Sequence, residues 1–180
     1  MRLKISDKII LFNNDVYDYV AEIIRINKKN VEVIIQSKIA NHKNSALDIK
    51  LIQSISSNEK MDWIIQKSVE LGVSTIIPVY SERSIIKLKD DRAEKKLSHW
   101  KQIIQSACEQ CGRSKVPEIF VPKKLDTFWS NENISAKKHL KLILSPLAQH
   151  SLNSISMASP SSVDIMIGPE GGFANEEIIC

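Results

Sequence analysis

The sequence predicts an α/β protein in which a small antiparallel β domain precedes a larger domain built on a parallel sheet. In the first fifty residues, short Val- and Ile-rich runs are separated by Asn-rich turns at 13–15 and 27–30, which is typical of a meander. From about residue 48, strand-like apolar runs alternate with amphipathic helical patterns, which favours βαβ units and a parallel sheet. We therefore place the two domains at residues 1–47 and 48–180.

The expected elements follow in a regular order. The meander lies within "KIILFN" and "YDYVAEIIRINKKNVEVIIQSKIA", and a buried strand follows at "DIKLIQSI". A helix is expected over "SSNEKMDWIIQKSVELG", with Ser57 or Asn58 as its N-cap and Gly72 just beyond its end. Its apolar face would comprise Met61, Ile64, Ile65, Val69 and Leu71. The later elements are the strand "VSTIIPVY", the helix "RAEKKLSHWKQIIQSACEQCG" and the strands "KVPEIFV", "HLKLILS" and "SVDIMIG".

Composition limits the classes of protein that fit. Apolar residues make up 43% of the 180 residues, which is enough for a core and excludes a disordered chain. No apolar run approaches the roughly 20 residues that span a membrane, and no secretory cleavage site follows Met1, so we expect a cytoplasmic protein. The net charge is +4, and ten Lys or Arg stand against five Asp or Glu between Lys87 and Lys124. This bias suits RNA and a solvated surface about equally.

The stretch "IMIGPEGGF" is the strongest candidate for a ligand site. Three of the five glycines in the protein lie in residues 168–172, which we call the glycine turn, directly after an apolar strand. Ligands of parallel sheets bind beyond the carboxyl ends of the strands, and glycine lets a ligand approach the backbone closely. Neither a Gly-Lys-Ser/Thr ending nor a Gly-x-Gly-x-x-Gly pattern is present, so this is neither a P-loop nor a dinucleotide fingerprint. The alternative is a tight turn from strand to helix.

Other polar groups also follow strand ends. The strand in "LILSPLAQ" stops at Ser145 and Pro146, which we expect to lie beside Gly168 and to frame one pocket with it. Arg83 follows "VSTIIPVY"; its guanidinium suits phosphate or carboxylate, although a surface loop is an equal alternative. Arg113, just after Gly112, is expected to project from a turn.

The pair Cys108 and Cys111 has Cys-x-x-Cys spacing. A structural zinc site would need two more ligands, and the four histidines are scattered. A thioredoxin-like pair sits at the start of a helix, whereas this pair is at a helix end. We interpret the two residues as ordinary thiols and expect no metal.

Together, "NEKMDWIIQKSVELGVSTIIPVYSERSIIK", "QSACEQCGRSKVPEI" and "IMIGPEGGF" resemble the bacterial 16S ribosomal RNA (uracil-N3)-methyltransferase family along nearly the whole chain. The resemblance implies a SPOUT-class α/β methyltransferase domain with a trefoil knot, preceded by a PUA-like β-barrel. It implies S-adenosylmethionine as cofactor, a homodimer, and 16S ribosomal RNA or the assembled 30S subunit as partner. The implied cofactor-binding residues are Leu144, Ser145, Pro146, Ile167, Gly168, Pro169, Glu170, Gly171 and Gly172.

The chain also departs from the family pattern. The family continues into a segment that reads Ser-Leu-Gly-x-x-Ile-Leu-Arg-x-Glu-Thr-Ala, whereas this chain stops at Cys180. We therefore expect a fragment that lacks the C-terminal knot segment and holds only part of the β domain, and whose own activity is open. Ala174 stands where many relatives carry a capping Ser, so Asn175 is expected to cap the following helix instead.

Three catalytic candidates follow from the resemblance. Arg83 and Arg113 would contact RNA phosphate or base, and Glu170 would either accept the proton from uracil N3 or accept hydrogen bonds within its own turn. Two other functions stay open. One is a non-catalytic RNA-binding module without a donor site, and the other is a nucleotide-binding α/β enzyme that holds phosphate on the glycine turn.

Overall fold

The computed structural model describes residues 3–43, 45–84, 90–130, 139–155 and 160–179. Lys87, where the basic stretch begins, lies outside the described residues. The chain divides into two units. The first comprises Met1–Ser45 and Cys108–Val116, and the second comprises Ala46–Ala107 and Pro117–Cys180.

The first unit contains the predicted antiparallel meander. Its strands are β1 (Lys8–Phe12), β2 (Tyr17–Ile26) and β3 (Val31–Ala40), in the order β1-β2-β3. The turns between them fall at the two Asn-rich stretches, and Asn14 there has a positive φ of 55°, a conformation that Asn tolerates.

Residues 108–116 are tied to this meander by hydrogen bonds within the first unit. Ser114 Oγ donates to the Asp15 carbonyl at 2.7 Å, and the Asn41 side-chain amide donates to the Gly112 carbonyl at 3.0 Å. The Val116 amide donates to the side chain of Asn14 at 2.8 Å.

The second unit is built on a parallel sheet, as predicted. Its strands are β4 (Asp48–Ser54), β5 (Thr75–Tyr80), β6 (Glu118–Ile119), β7 (Lys123–Lys124), β8 (His139–Leu144) and β9 (Ser162–Ile167). The order is β6-β5-β4-β9-β8, with β7 pairing β5, and all these pairs are parallel.

The helices are α1 (Asn58–Glu70), α2 (Asp90–Cys111), α3 (Leu125–Ser130) and α4 (Asn175–Ile179), with a 3-10 helix at Leu152–Ser154. In the described part of the chain, none of them has the length and apolar character to cross a membrane.

Gly72 lies just beyond the end of helix α1, as predicted, since it has a φ of 99° and the Val73 amide returns to the Ser68 carbonyl at 3.0 Å. Ser57 occupies the N-cap position but makes no capping bond through its side chain. The expected burial of Leu71 is wrong. Leu71 lies beyond the last helical residue, where the chain turns away at Gly72, and it is 78% exposed.

A hydrophobic cluster fills one part of the second unit. Its buried members are Ile52, Ile77, Val79, Leu125, Phe128, Met166 and Phe173, and Ile143 packs against them. Phe173 directly follows the glycine turn, so the core anchors the turn at its carboxyl end.

Candidate functional site

The carboxyl ends of β8 and β9 lie side by side. The two strands are parallel neighbours, and Leu144 is paired with Ile167 at their ends. The loop that begins at Ser145 therefore starts beside the glycine turn. This adjacency confirms the arrangement expected from the two strand-end motifs.

A cavity of about 730 Å³ opens between these loops. Its volume falls in the range of roughly 300–1,000 Å³ that small-molecule sites occupy. All nine residues that the resemblance assigned to the cofactor line this one cavity. The other lining residues are Arg83, Leu142, Ile143, Leu147, Ala148, His150, Leu152, Ile155, Phe173, Asn175 and Ile178.

The glycine turn requires residues without a side chain at Gly168 and Gly172. A Cβ on Gly168 would lie 3.2 Å from the Phe173 ring and 3.3 Å from the Gly172 carbonyl carbon, which is tighter than usual packing. Gly172 has a φ of 69°, which side-chain-bearing residues rarely adopt, and its amide donates to the Pro169 carbonyl at 2.9 Å. A Cβ on Gly172 would meet no atom within 4 Å. The turn therefore leaves open space that a ligand can fill.

The cavity suits an amphipathic ligand with an apolar part. Leu144, Ile155 and Ile167 line it with aliphatic side chains, and the glycine turn contributes backbone at Gly171 and Gly172. Pockets of this kind hold a ligand by apolar packing and orient it through a few polar groups. The residues present thus fit an adenosyl group.

Glu170 is engaged by groups at the start of α1. Its carboxylate accepts a hydrogen bond from the Ser56 hydroxyl and lies 3.1 Å from the Lys60 ammonium. The Ser56 hydroxyl, the backbone amide of Glu170 itself and the Lys60 ammonium lower the pKa of the Glu170 carboxyl from 4.5 to about 2. A carboxylate of that pKa is a poor proton acceptor at neutral pH. The geometry favours the local role over the general base.

Arg83 meets the glycine turn from the end of β5. It sits in the four-residue turn 81–84, which we call the serine turn and which is closed by a bond from the Ser84 amide to the Ser81 carbonyl at 3.1 Å. Its Nη1 donates to the Gly171 carbonyl at 2.9 Å. The structure therefore brings Arg83 and Glu170 to the same glycine turn.

Arg113 has a different environment. The expectation that it projects from its turn is wrong, because Arg113 is only 6% exposed. Gly112 adopts a φ of 75° and turns the chain, so that Arg113 lies within the first unit, whereas Arg83 and Glu170 belong to the second. A buried guanidinium is not placed to meet RNA phosphate.

Glu177 does not line the cavity, but it supports the serine turn that carries Arg83, and the sequence reasoning missed it. One of its carboxylate oxygens accepts the Glu82 amide at 2.7 Å, and the other accepts the Ala174 amide at 2.9 Å. Ala174 directly precedes α4, so the expected capping role of Asn175 is wrong, since Asn175 is the first helical residue. A Glu three residues after the N-cap is half of a capping box, and this spacing was the available signal.

The Cys-x-x-Cys pair belongs to the first unit. Cys108 is fully buried, and burial raises the pKa of its thiol to about 11. Among the residues that the structure describes, no group of three or more His, Cys, Asp or Glu side chains could hold a metal ion.

Two family models match the chain. A model of an RNA methyltransferase domain covers residues 43–179, and a model of an RNA methyltransferase PUA domain covers residues 1–36.

Individual relatives agree with these models. The chain is 40% identical over 178 residues to ribosomal RNA small subunit methyltransferase E of Buchnera aphidicola subsp. Schizaphis graminum. The match covers 99% of this chain and 71% of that protein. A protein of Legionella pneumophila, solved with S-adenosylmethionine as bound cofactor, is similar with a TM-score of 0.89 and 41% identity, over 98% of this chain and 71% of that one. Ribosomal RNA small subunit methyltransferase E of Neisseria gonorrhoeae, bound to S-adenosylmethionine, is similar with a TM-score of 0.90 and 36% identity. The match covers 98% of this chain and 72% of that one.

Proposed function

The chain belongs to the family of ribosomal RNA small subunit methyltransferase E, and we propose that it serves S-adenosylmethionine-dependent methylation of uracil N3 in 16S ribosomal RNA. One observation supports this above all. The nine residues assigned to the cofactor come from two separate loops, and all of them line a single cavity.

The proposed donor site uses the backbone of the two loops. Leu144, Ser145 and Pro146 would form one wall, and Ile167 with the glycine turn would form the other. When bound, S-adenosylmethionine supplies an electrophilic methyl group on a sulfonium centre. The protein's contribution is to hold the donor and the target base in line, because positioning removes much of the entropic cost of a reaction between two molecules.

Arg83 is the proposed contact to the RNA target. Loss of the N3 proton leaves negative charge on the uracil ring, which a fixed cation at the rim of the cavity would stabilise. Arg83 lines the cavity and is held by its bond to the Gly171 carbonyl. Glu170 is proposed to keep the glycine turn in place through Ser56 and Lys60.

The proposed partners are 16S ribosomal RNA, free or in the assembled 30S subunit, and a second copy of the chain, in the cytoplasm. The exposed apolar side chains of Leu144, Leu147 and Leu152 around the cavity support a contact with another molecule at this face. Light scattering of the purified chain would test the dimer, and a monomer at micromolar concentration would contradict it.

Donor binding is tested by calorimetric titration of S-adenosylmethionine into the 180-residue chain and two variants. A Cβ on Gly171 would lie 3.7 Å from Arg83, in ordinary contact, so we expect Gly171→Ala to bind within about threefold of the parent. The branched side chain of Gly171→Val must displace Arg83 or enter the cavity, so we expect its dissociation constant to rise by at least about tenfold, or roughly 1.4 kcal/mol.

Circular dichroism and thermal melting establish that each protein is folded. A folded parent chain that does not bind the donor would contradict the proposed site. If that protein still bound 16S ribosomal RNA, a non-catalytic RNA-binding module would become the favoured function. A chimera in which residues 1–180 replace the matched part of the Legionella protein extends the test to methyl transfer, measured as incorporation of labelled methyl into ribosomal RNA.

A further inference from the structure

Three buried serine hydroxyls meet beneath the turn that carries Arg83. Ser54 is the last residue of β4, and Ser81 and Ser84 are the first and last residues of the serine turn. All three are buried, and we call them the serine cluster. They come together because β4 and β5 are parallel neighbours, with Ser54 paired to Val79 just before the turn.

The hydroxyls form a closed triangle. Ser84 Oγ lies 3.0 Å from both Ser54 Oγ and Ser81 Oγ, and Ser54 Oγ is hydrogen-bonded to Ser81 Oγ. The Ser81 amide also donates to Ser84 Oγ at 3.0 Å. A hydroxyl has one proton and two lone pairs, so a ring in which each donates to the next uses all three protons. Ser84 keeps one lone pair for the Ser81 amide.

The exposed side of the same turn is bonded to two neighbouring segments, α4 and the glycine turn, both of which contribute residues to the cavity. The Glu82 amide donates to the Glu177 carboxylate at 2.7 Å, and Arg83 Nη1 donates to the Gly171 carbonyl at 2.9 Å. An arginine side chain has many rotamers, and a single exposed hydrogen bond selects one of them only weakly. The arginine therefore depends on a backbone that is already fixed, and the buried triangle fixes it.

We propose that Ser54 and Ser84 are positioning residues that act through Arg83. They hold the serine turn so that the guanidinium stays on the Gly171 carbonyl, and the glycine turn thereby keeps the shape that lines the cavity. This inference rests on the proposed function for its effect on methyl transfer. In this proposal, Ser54 and Ser84 themselves contact neither the methyl donor nor the RNA.

Amide hydrogen exchange tests the positioning without any need for activity. The reporters are the amides of Glu82 and Gly172, which donate to Glu177 and to the Pro169 carbonyl. We expect Ser84→Ala to lower their protection by at least about tenfold, because the buried partners of Ser84 lose a hydrogen bond. Ser54→Ala should act in the same direction.

Ser68→Ala is the matched control, since Ser68 is a buried serine of α1 that donates to the Ile64 carbonyl at 2.7 Å. Protection at Glu82 and Gly172 should be unchanged in that variant. Unchanged protection in folded Ser84→Ala, or an equal loss in Ser68→Ala, would overturn the proposal.

A double-mutant cycle on methyl transfer provides the second test. We expect Ser84→Ala to lower kcat/KM by about tenfold and Arg83→Ala to lower it further. The double variant should match Arg83→Ala alone within about twofold, because a residue that acts through Arg83 has no further effect once Arg83 is gone. Additive losses would refute the proposal. The cycle is measured in the chimera with the Legionella protein. If the unsubstituted chimera transfers no methyl group, the proposed function fails, and the exchange data still decide the role of the serines.

Discussion

At the scale of single residues, Glu170 has one role suggested by its sequence motif and another indicated by its contacts in the folded protein. Within the glycine turn it is the only carboxylate, which made it a candidate general base. Its neighbours are far away in the sequence, because the Ser56 and Lys60 contacts span 114 and 110 positions. These contacts stabilise the ionised form, so the same residue is better suited to hold the turn.

We predict a pH-dependent contribution of Glu170 to stability. Its pKa is lowered from 4.5 to about 2 in the folded protein, so its stabilisation is complete above pH 4.5 and is lost as the pH falls towards 2. The difference in unfolding free energy between the parent and Glu170→Gln should therefore shrink over this interval. Urea denaturation at a series of pH values measures it.

Glu94→Gln, which removes an exposed carboxylate from α2, is the control for the loss of one acidic group. A difference for Glu170→Gln that stays constant down to pH 2 would contradict the assigned contacts.

The sequence, through its resemblance to a family, was enough to find nine of the residues that line the cavity, but not the residues that support them. Ser145 and Gly168 could be placed together because each follows an apolar strand, and such strand ends meet in a parallel sheet. The serine cluster gave no such signal. Ser54 and Ser84 are 30 positions apart, and an isolated Ser at a strand end is common in ordinary turns.

At the scale of elements, long periodic segments were predictable and short ones were not. Helices α1 and α2 and strands β4, β5, β8 and β9 all occur where periodicity placed them. The strand expected over residues 115–121 shrinks to the two residues of β6. Strand β7 and helix α3 had no recognisable pattern, because two and six residues are too few to show a period.

Ionisable side chains from three neighbouring strands, β4, β8 and β9, meet at the buried Asp164. Asp164 of β9 is buried, and its Oδ1 lies 3.0 Å from His139 Nε2 of β8 and 3.8 Å from Lys50 Nζ of β4. The pairing registers place all three near the amino ends of their strands, at the opposite edge from the cavity. The cluster therefore bears on the stability of the sheet and not on the site.

We predict that Asp164→Ala lowers the free energy of unfolding by about 2 kcal/mol, below the roughly 3–5 kcal/mol typical of a fully buried pair because Lys50 and His139 are partly exposed. Urea denaturation measures the change. Glu118→Ala, at an exposed position of β6, should change it by less than about 0.5 kcal/mol. Equal effects of the two substitutions would show that the buried cluster contributes nothing specific.

At the scale of the whole molecule, the two units are not two consecutive stretches of sequence. Residues 108–116 belong to the first unit, although the first four of them are the last turn of α2, whose earlier residues belong to the second unit. Their hydrogen bonds to Asn14, Asp15 and Asn41 explain this assignment. The sequence pattern marks one boundary near residue 48, but it does not indicate that residues 108–116 join the first unit again.

We predict that a fragment of residues 46–180 loses order at residues 108–116. The Val116 amide, which donates to Asn14 in the intact chain, should exchange at least about tenfold faster in the fragment. The Gly172 amide bonds within the second unit and serves as the internal control, which should stay protected. Equal protection of Val116 in fragment and intact chain would show that residues 108–116 hold their conformation without the meander.

The central position of β4 fixes when the cavity can first exist. Its partner β5 follows it closely in the sequence, but its other partner β9 is made more than a hundred positions later, and the bonds that fasten the glycine turn span 88 to 114 positions. A chain that leaves the ribosome amino end first thus exposes one edge of β4 for most of its synthesis. Because residues 162–178 supply one wall and the partner strand of the other, the cavity can be complete only late in synthesis.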